Sequence, residues 1–187
     1  MKESARLFYR SWQKSDFDTI VALLDDPEIA KGFGREGLFD ANDRAKDRIS
    51  HKNGNEEDGA IVYHFAICLK KTGEVIGEIG IRYDPKTKVQ RFGGVAIMPG
   101  FREQGYGKEA MAARSEFSFK ELGVESIRGG YILGNQASEQ LQKSLGFRKT
   151  GHELGMDAQR NIVTVINTEL TKQDWLKQNQ NSKSKEA

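Results

Sequence analysis

The chain has 187 residues, 37% hydrophobic and 30% charged, with 29 basic against 27 acidic side chains and a net charge of +2. That is enough chain for one domain with a sizeable core. It is too apolar for a disordered protein and lacks the concentrated positive face of a dedicated nucleic-acid binder. The single cysteine, Cys68, excludes an internal disulfide, and within Phe65-Ala-Ile-Cys-Leu69 it reads as a packed core thiol. Met1 to Arg10 has no apolar signal-like region, and no stretch reaches the ~18 apolar residues of a membrane span. A cytoplasmic protein that engages no membrane is expected.

Leu7 to Trp12 alternates apolar and polar residues as a short strand. Ser15-Asp-Phe-Asp18 caps a helix over Thr19–Leu24 that stops near Asp25-Asp-Pro27, and a second helix covers Asn42–Ile49, capped by Asp40 or Asn42. His51 to Gly59 is a polar loop. Strands Ile61–Leu69 and Glu74–Arg82 flank the hairpin turn Lys70-Lys-Thr-Gly73, and Arg91–Met98 is a third strand. A helix then runs to Leu122, with Gly123 placed to end it in a left-handed conformation. Ser126–Ile132 is a strand and Ala137–Ser144 a helix closed by Gly146. Phe147–Glu153 and Asn161–Leu170 form a last antiparallel pair around the loop Gly155–Arg160. The order β-α-α-β-β-β-α-β-α-β-β implies an α/β domain on a mixed, mostly antiparallel central sheet flanked by helices. Residues 1–177 would form this single domain, and the polar tail 178–187 is expected to be disordered.

The segment Val95 to Ala110 carries the chemistry. An apolar strand ends at Pro99, Arg102-x-x-Gly105-x-Gly107 follows, and a helix begins with Lys108-Glu-Ala-Met111. Successive backbone N–H groups in such a turn, and roughly half a positive charge at the helix N-terminus, favour a phosphate. Gly105 and Gly107 keep side chains out of its way. The spacing is not that of a Walker loop, and the alternating strand–helix array of a dinucleotide fold is missing.

Two segments together resemble the GNAT acetyltransferase superfamily. The first is Arg102-x-x-Gly105-x-Gly107; the second is Asn135-Gln-Ala-Ser138 followed by Lys143-Ser-Leu-Gly146-Phe147. The Asn-x-x-Ser form resembles the branch that acetylates N-terminal residues of ribosomal proteins, the RimJ/RimL type. The likeness extends from Arg6–Trp12 through Gly73–Gly80 to Asn167–Trp175. It implies a GNAT-like fold and acetyl-CoA as cosubstrate, with the backbone of Val95, Ala96 and Ile97 pairing with the pantetheine amides. The N–H groups of Glu103, Gln104, Gly105, Tyr106, Gly107 and Lys108 would hold the pyrophosphate, with Arg102 or Lys108 adding charge. Asn135 would bond the pantetheine arm, and Ser138 would sit near the thiol end. Asn135 reads equally as a turn residue ahead of a helix, and Ser138 as an ordinary first-turn residue.

Transfer of an acetyl group to an amine needs an uncharged nitrogen, a polarised carbonyl and a proton for the leaving thiolate. Many members of the family carry a tyrosine acid where this chain has Gln142, and Arg91 and Phe92 stand where Rim-type members often have an acidic residue. Glu78 is then the nearest carboxylate for a base and Tyr131 a candidate acid, with Ser138 beside the thiol. His64 and His152 read as structural, and no metal site is expected. A lysine side chain is uncharged only about 0.04% of the time at neutral pH, against about 10–15% for an α-amino group. A chain without an evident strong base therefore favours an N-terminal α-amine or another low-pKa small amine. Acceptor contacts are expected from Lys31–Asn53, with Phe33, Arg35 and Phe39 among them, and from Gly155–Arg160. The alternatives are a non-catalytic acyl-CoA-binding or sensor module on the same fold, and an RNA-associated protein, for which the tail and a pI near 8.6 give little support. Neither the acyl-chain length nor a homodimer is decided by the residues.

Overall fold

Alternation along one hairpin sets the layers of the molecule. In chain order the elements are β1 (Leu7–Arg10), α1 (Phe17–Leu24), α2 (Pro27–Gly32), α3 (Ala41–Ser50), β2 (Asn55–Glu57), β3 (Ala60–Leu69), β4 (Val75–Asp84), β5 (Val89–Arg91) and β6 (Val95–Ile97). After these come α4 (Tyr106–Lys120), β7 (Ser126–Ile132), α5 (Gln136–Ser144), β8 (Arg148–Met156), β9 (Ile162–Thr171) and α6 (Lys172–Lys183). The structure is a computed structural model that describes residues 1–32, 40–91, 93–157 and 160–183, the last three by backbone alone.

Successive side chains of a strand point to opposite faces. On β3, Phe65 and Ile67 join one buried cluster with Leu7, Ile79, Ile127 and Leu170, over which lie Ala110, Met111 and Phe119 of α4 and Leu141 of α5. Ala66 and Cys68 join a second cluster with Trp12, Ile20 and Leu23, covered by α1 and α3. The sheet thus separates α4 and α5 from α1 and α3. Cys68 is a buried free thiol, and burial pushes its pKa up.

The strands run β1-β3-β4-β5-β7-β9-β8, with β2 added to β3 and β6 added to β4. Every pairing is antiparallel except β5 with β7, whose parallel alignment requires the long crossover that α4 supplies. This is the mixed, mostly antiparallel sheet flanked by helices that the element order implies.

One expected strand is broken, and the break matters. Residues 91–98 do not continue as a single strand, because Gly93 takes a φ of 137° between β5 and β6. On one side of the break, Val89–Arg91 pairs with Ser126–Arg128. On the other side, β6 pairs with β4 alone and Gly129–Ile132 with β9 alone. The two inner strands part there, leaving their facing backbone edges unpaired.

The remaining differences have local causes. Pro27 opens the extra helix α2, where the Asp26 carboxylate accepts from the Ile29 N–H at 2.9 Å. The loop expected over His51–Gly59 contains β2, which extends the edge of β3. The tail is helical to Lys183, because Thr171 and Asp174 exchange hydrogen bonds of 2.6 and 3.2 Å that cap α6; residues 184–187 lie outside the described part.

Candidate active site

The glycine turn folds as its residues require. After β6 comes a short 3-10 turn at Pro99–Phe101, and the backbone then becomes left-handed at Glu103 (φ 60°) and at Gly105 (φ 81°), the N-cap of α4. The first helical bond runs from the Glu109 N–H to the Gly105 carbonyl at 3.1 Å, so the N–H groups of Tyr106, Gly107 and Lys108 lie ahead of it without an intrahelical acceptor. A Cβ on Gly107 would stand 3.7 Å from Ile97 and 4.0 Å from Leu141. Anything longer than a methyl group would close the gap between the end of β6 and α5. Open strand edges leading to an uncovered row of N–H groups fit a pantetheine arm ending in a pyrophosphate.

Of the two cations the motif offers, Arg102 and Lys108, the first is engaged elsewhere. Arg102 faces away from the row of N–H groups: its Nη2 pairs with Asp26 at 2.6 Å and its Nε donates to the Ile97 carbonyl at 3.0 Å. Arg6, at the start of the chain, takes the position beside the turn. Its guanidinium lies 4.3 Å above the Tyr106 ring, donates to the Gln104 carbonyl at 3.0 Å and pairs with Glu109 at 2.7 Å. Burial opposes the charge on Glu109, but the Arg6 backbone N–H, the Ser4 hydroxyl and the Arg6 guanidinium outweigh it and hold its pKa below the usual range.

On the neighbouring helix, Asn135 is the N-cap of α5, its Oδ1 accepting from the Ser138 N–H at 3.0 Å. Gln142 is buried and bridges three elements. Its amide donates to the Ser138 hydroxyl at 3.0 Å and to the Gly130 carbonyl at 3.2 Å, and its carbonyl accepts from Thr168 at 2.5 Å. Ser138 therefore has its oxygen fixed from one side and its own proton free to donate. Tyr131 is 5% exposed on β7, and among the described residues its hydroxyl has no hydrogen-bond partner.

Across the strand break, on the α1/α3 face, lies a cavity of about 640 Å3. Gly80, Gly93, Gly94 and Ala96 form part of its lining, so it meets the parted strands. Glu78, the sequence candidate for a base, lies in this cavity, but both its oxygens accept from Arg48, at 2.7 and 3.2 Å. His64 stands opposite Gly80 in the hairpin register, its Nδ1 3.9 Å from Glu78 and without a hydrogen-bond partner among the described residues. Burial, reinforced by Arg48, lowers its pKa to about 4, so the ring is neutral at pH 7. His51 packs edge-on to it at 5.0 Å and contacts Glu57 at 2.9 Å. The sequence reading set His64 aside; the hairpin register was the signal that places it on the face of Glu78. Phe33, Arg35 and Phe39 lie outside the described residues.

Comparison with known proteins decides the family. The model of the GNAT acetyltransferase domain matches residues 6–148. The chain belongs to the GNAT acetyltransferase family. It is accordingly an acyltransferase that depends on acetyl-CoA. It is 24% identical over 170 residues to YoaA, an uncharacterized N-acetyltransferase of Bacillus subtilis, covering 88% of this chain and 95% of the relative. Among solved structures it resembles a GNAT-family acetyltransferase from Bacillus anthracis, with a TM-score of 0.77 at 18% identity over 92% of this chain and 98% of the other. It also resembles the spermidine N-acetyltransferase of Vibrio cholerae in complex with CoA and spermine, with a TM-score of 0.74 at 16% identity over 91% and 98% of the two chains. At these identities the solved structures speak to the fold. No helix among the described residues is long and apolar enough to cross a membrane.

Proposed function

We propose that this GNAT protein acetylates a primary amine of low pKa, either the α-amine of a protein N-terminus, as in the RimJ/RimL-type branch, or a small-molecule amine. The observation that carries the reading is the strand break at Gly93-Gly94, which opens toward the glycine turn along one edge and onto the polar cavity on the α1/α3 face. The cofactor supplies an acetyl group activated as a thioester. The β6 edge would orient it, the N–H groups from Glu103 to Lys108 would receive its pyrophosphate with Arg6 beside them, Asn135 would bond the pantetheine arm and Ser138 would stand near the thiol end. A nitrogen–carbon bond forms and a carbon–sulfur bond breaks, so one proton leaves the amine to water in the cavity and one must reach the sulfur, the donor regaining its own from solvent. The Ser138 hydroxyl, held by Gln142, is placed to donate the second.

The cavity favours a modestly basic amine over a polycation. Glu78 is engaged by Arg48, and Glu57 by His51 at 2.9 Å and by Arg82 at 3.7 Å. A polyamine brings several ammonium groups, and of the cavity carboxylates Asp47, Glu57 and Glu78, the two glutamates already face arginines. The Asn135-x-x-Ser138 segment and a fold likeness to a proposed ribosomal-protein-serine acetyltransferase from Vibrio cholerae (TM-score 0.70, 18% identity) support the N-terminal α-amine. The test is thiol release from acetyl-CoA across peptides with free N-termini, lysine peptides, polyamines and aminoglycosides. Release with N-terminal peptides or small low-pKa amines is expected. Release with polyamines alone would overturn the acceptor assignment, and binding of acetyl-CoA without turnover on any amine would favour a sensor.

A further inference from the structure

Arg114 lies in the interior of α4 and is 3% exposed. Among the described residues it has no ion-pair partner, and its Nε has no hydrogen-bond partner. Nη1 donates to the carbonyl oxygen of Gly93. Burial lowers its pKa to about 10, so the side chain is still a cation at neutral pH. A buried cation without a counter-ion adds little to stability, and apolar replacements of buried charges are often neutral or stabilising. The effect of this charge is to be sought in what it faces.

It faces the strand break. Gly93 has a φ of 137°, and a Cβ there would collide with the Gly80 carbonyl oxygen, so only glycine fits. The carbonyl of Gly93 and the N–H of Gly94 belong to one planar trans peptide and point in opposite directions. The helix α4 packs on the face of the sheet away from the cavity. With the Gly93 carbonyl turned to Arg114, the Gly94 N–H is turned toward the cavity that both glycines line. Gly94 is exposed, its carbonyl accepts from the Gly80 N–H at 3.2 Å, and its own N–H has no backbone acceptor among the described residues.

We propose that Arg114 is a positioning residue that fixes and polarises the Gly93–Gly94 peptide, making the Gly94 N–H a preorganised donor to the acyl oxygen of the bound thioester. A charged donor on a carbonyl draws electron density through the amide and strengthens the N–H at its other end. The donor then needs no reorganisation when negative charge grows on the oxygen, and the loss of one such donor typically costs about 100- to 1,000-fold in rate. The inference rests on the acetyltransferase reading above.

The test compares Arg114→Met, similar in length and uncharged, with Arg114→Lys, which keeps the charge. In the protein without cofactor, the Gly94 amide proton should resonate downfield in the wild type, move upfield in the Met variant and move less in the Lys variant. With acetyl-CoA, kcat of the Met variant should fall about 10- to 100-fold, with the KM for acetyl-CoA within about threefold of wild type and the melting temperature kept or raised. An unmoved Gly94 resonance, or a shifted one with wild-type kcat, would overturn the proposal. If the Met variant does not fold, the Lys variant decides by the same two readouts. A wild type that releases no thiol with any amine would sink the transferase reading instead, and an unmoved resonance would then still refute the polarisation.

Discussion

The two halves of the site are made of different material. The proposed cofactor side is built from backbone: a parted strand edge, a left-handed Gly105, and N–H groups ahead of the first helical bond. The proposed acceptor side is built from side chains that meet across the fold, with Arg48 of α3 on Glu78 of β4 and His64 of β3 beside them. Backbone sites depend on conformation and tolerate changes of side chain except where a glycine is required. Side-chain sites depend on charge balance and respond to the loss of either partner.

The contrast is broken most directly at Arg48. The side chains of Arg48 and Glu78 are 11% and 14% exposed, so Arg48→Leu leaves a carboxylate buried without its partner. A loss of about 3–5 kcal/mol in urea unfolding is expected, largely recovered when Glu78→Leu is added. A mild single variant would mean that the pair does not organise the cavity.

The next largest effect is a pH dependence. The folded chain holds the His64 pKa near 4, against 6.5 in the unfolded chain, so between those values the unfolded state binds more protons. Stability from this group is complete above about pH 6.5 and should be lost as pH falls toward 4, by about 3 kcal/mol in all. Denaturation curves of wild type and His64→Gln should differ in pH slope within that window, and parallel slopes would contradict the assignment.

On the cofactor side, Gly107→Leu should fill the gap between Ile97 and Leu141. Acetyl-CoA affinity by calorimetry is expected to fall about 100-fold, or ~2.7 kcal/mol, with the melting temperature nearly unchanged. Unaltered affinity in a folded variant would place the cofactor elsewhere. The smallest effect is expected of Ser138→Ala. Gln142 keeps its bonds to Gly130 and Thr168, so the fold should hold while kcat falls about tenfold, less than the ~100-fold or more of full general acid catalysis because a thiolate can leave without its proton. A kcat equal to wild type would remove Ser138 from the proton path.

These differences explain how far the sequence could be read. Gly105 states a conformational demand in its own identity and Gly107 a demand for space, so the turn, the helix after it and the mixed sheet were legible. Charges are less informative, because a residue's position does not say where its side chain points. Arg102, inside the motif, turns to Asp26 from a distant part of the chain, and Arg6, outside the motif, sits on the turn. Glu78 was a fair candidate by strand and spacing, but its pairing with Arg48 follows only from how α3 packs over β4. The split of the expected strand at Gly93 was likewise hidden, since its cause is the close approach of the Gly80 carbonyl on the neighbouring strand. Asn135 was readable as either a cap or a cofactor contact. Its Oδ1 serves the helix as a cap, which leaves its amide nitrogen for the pantetheine arm.

The most direct test of the whole arrangement is an experimental structure with CoA bound. Pantetheine is expected along the free edge of Val95–Ile97, pyrophosphate oxygens within hydrogen-bond reach of N–H groups from Glu103 to Lys108, and the sulfur near Gly94 and Ser138, facing the cavity that holds Glu78 and His64. A cofactor bound with its sulfur away from the strand break, or with its pyrophosphate on Arg102 and not on the turn, would contradict it.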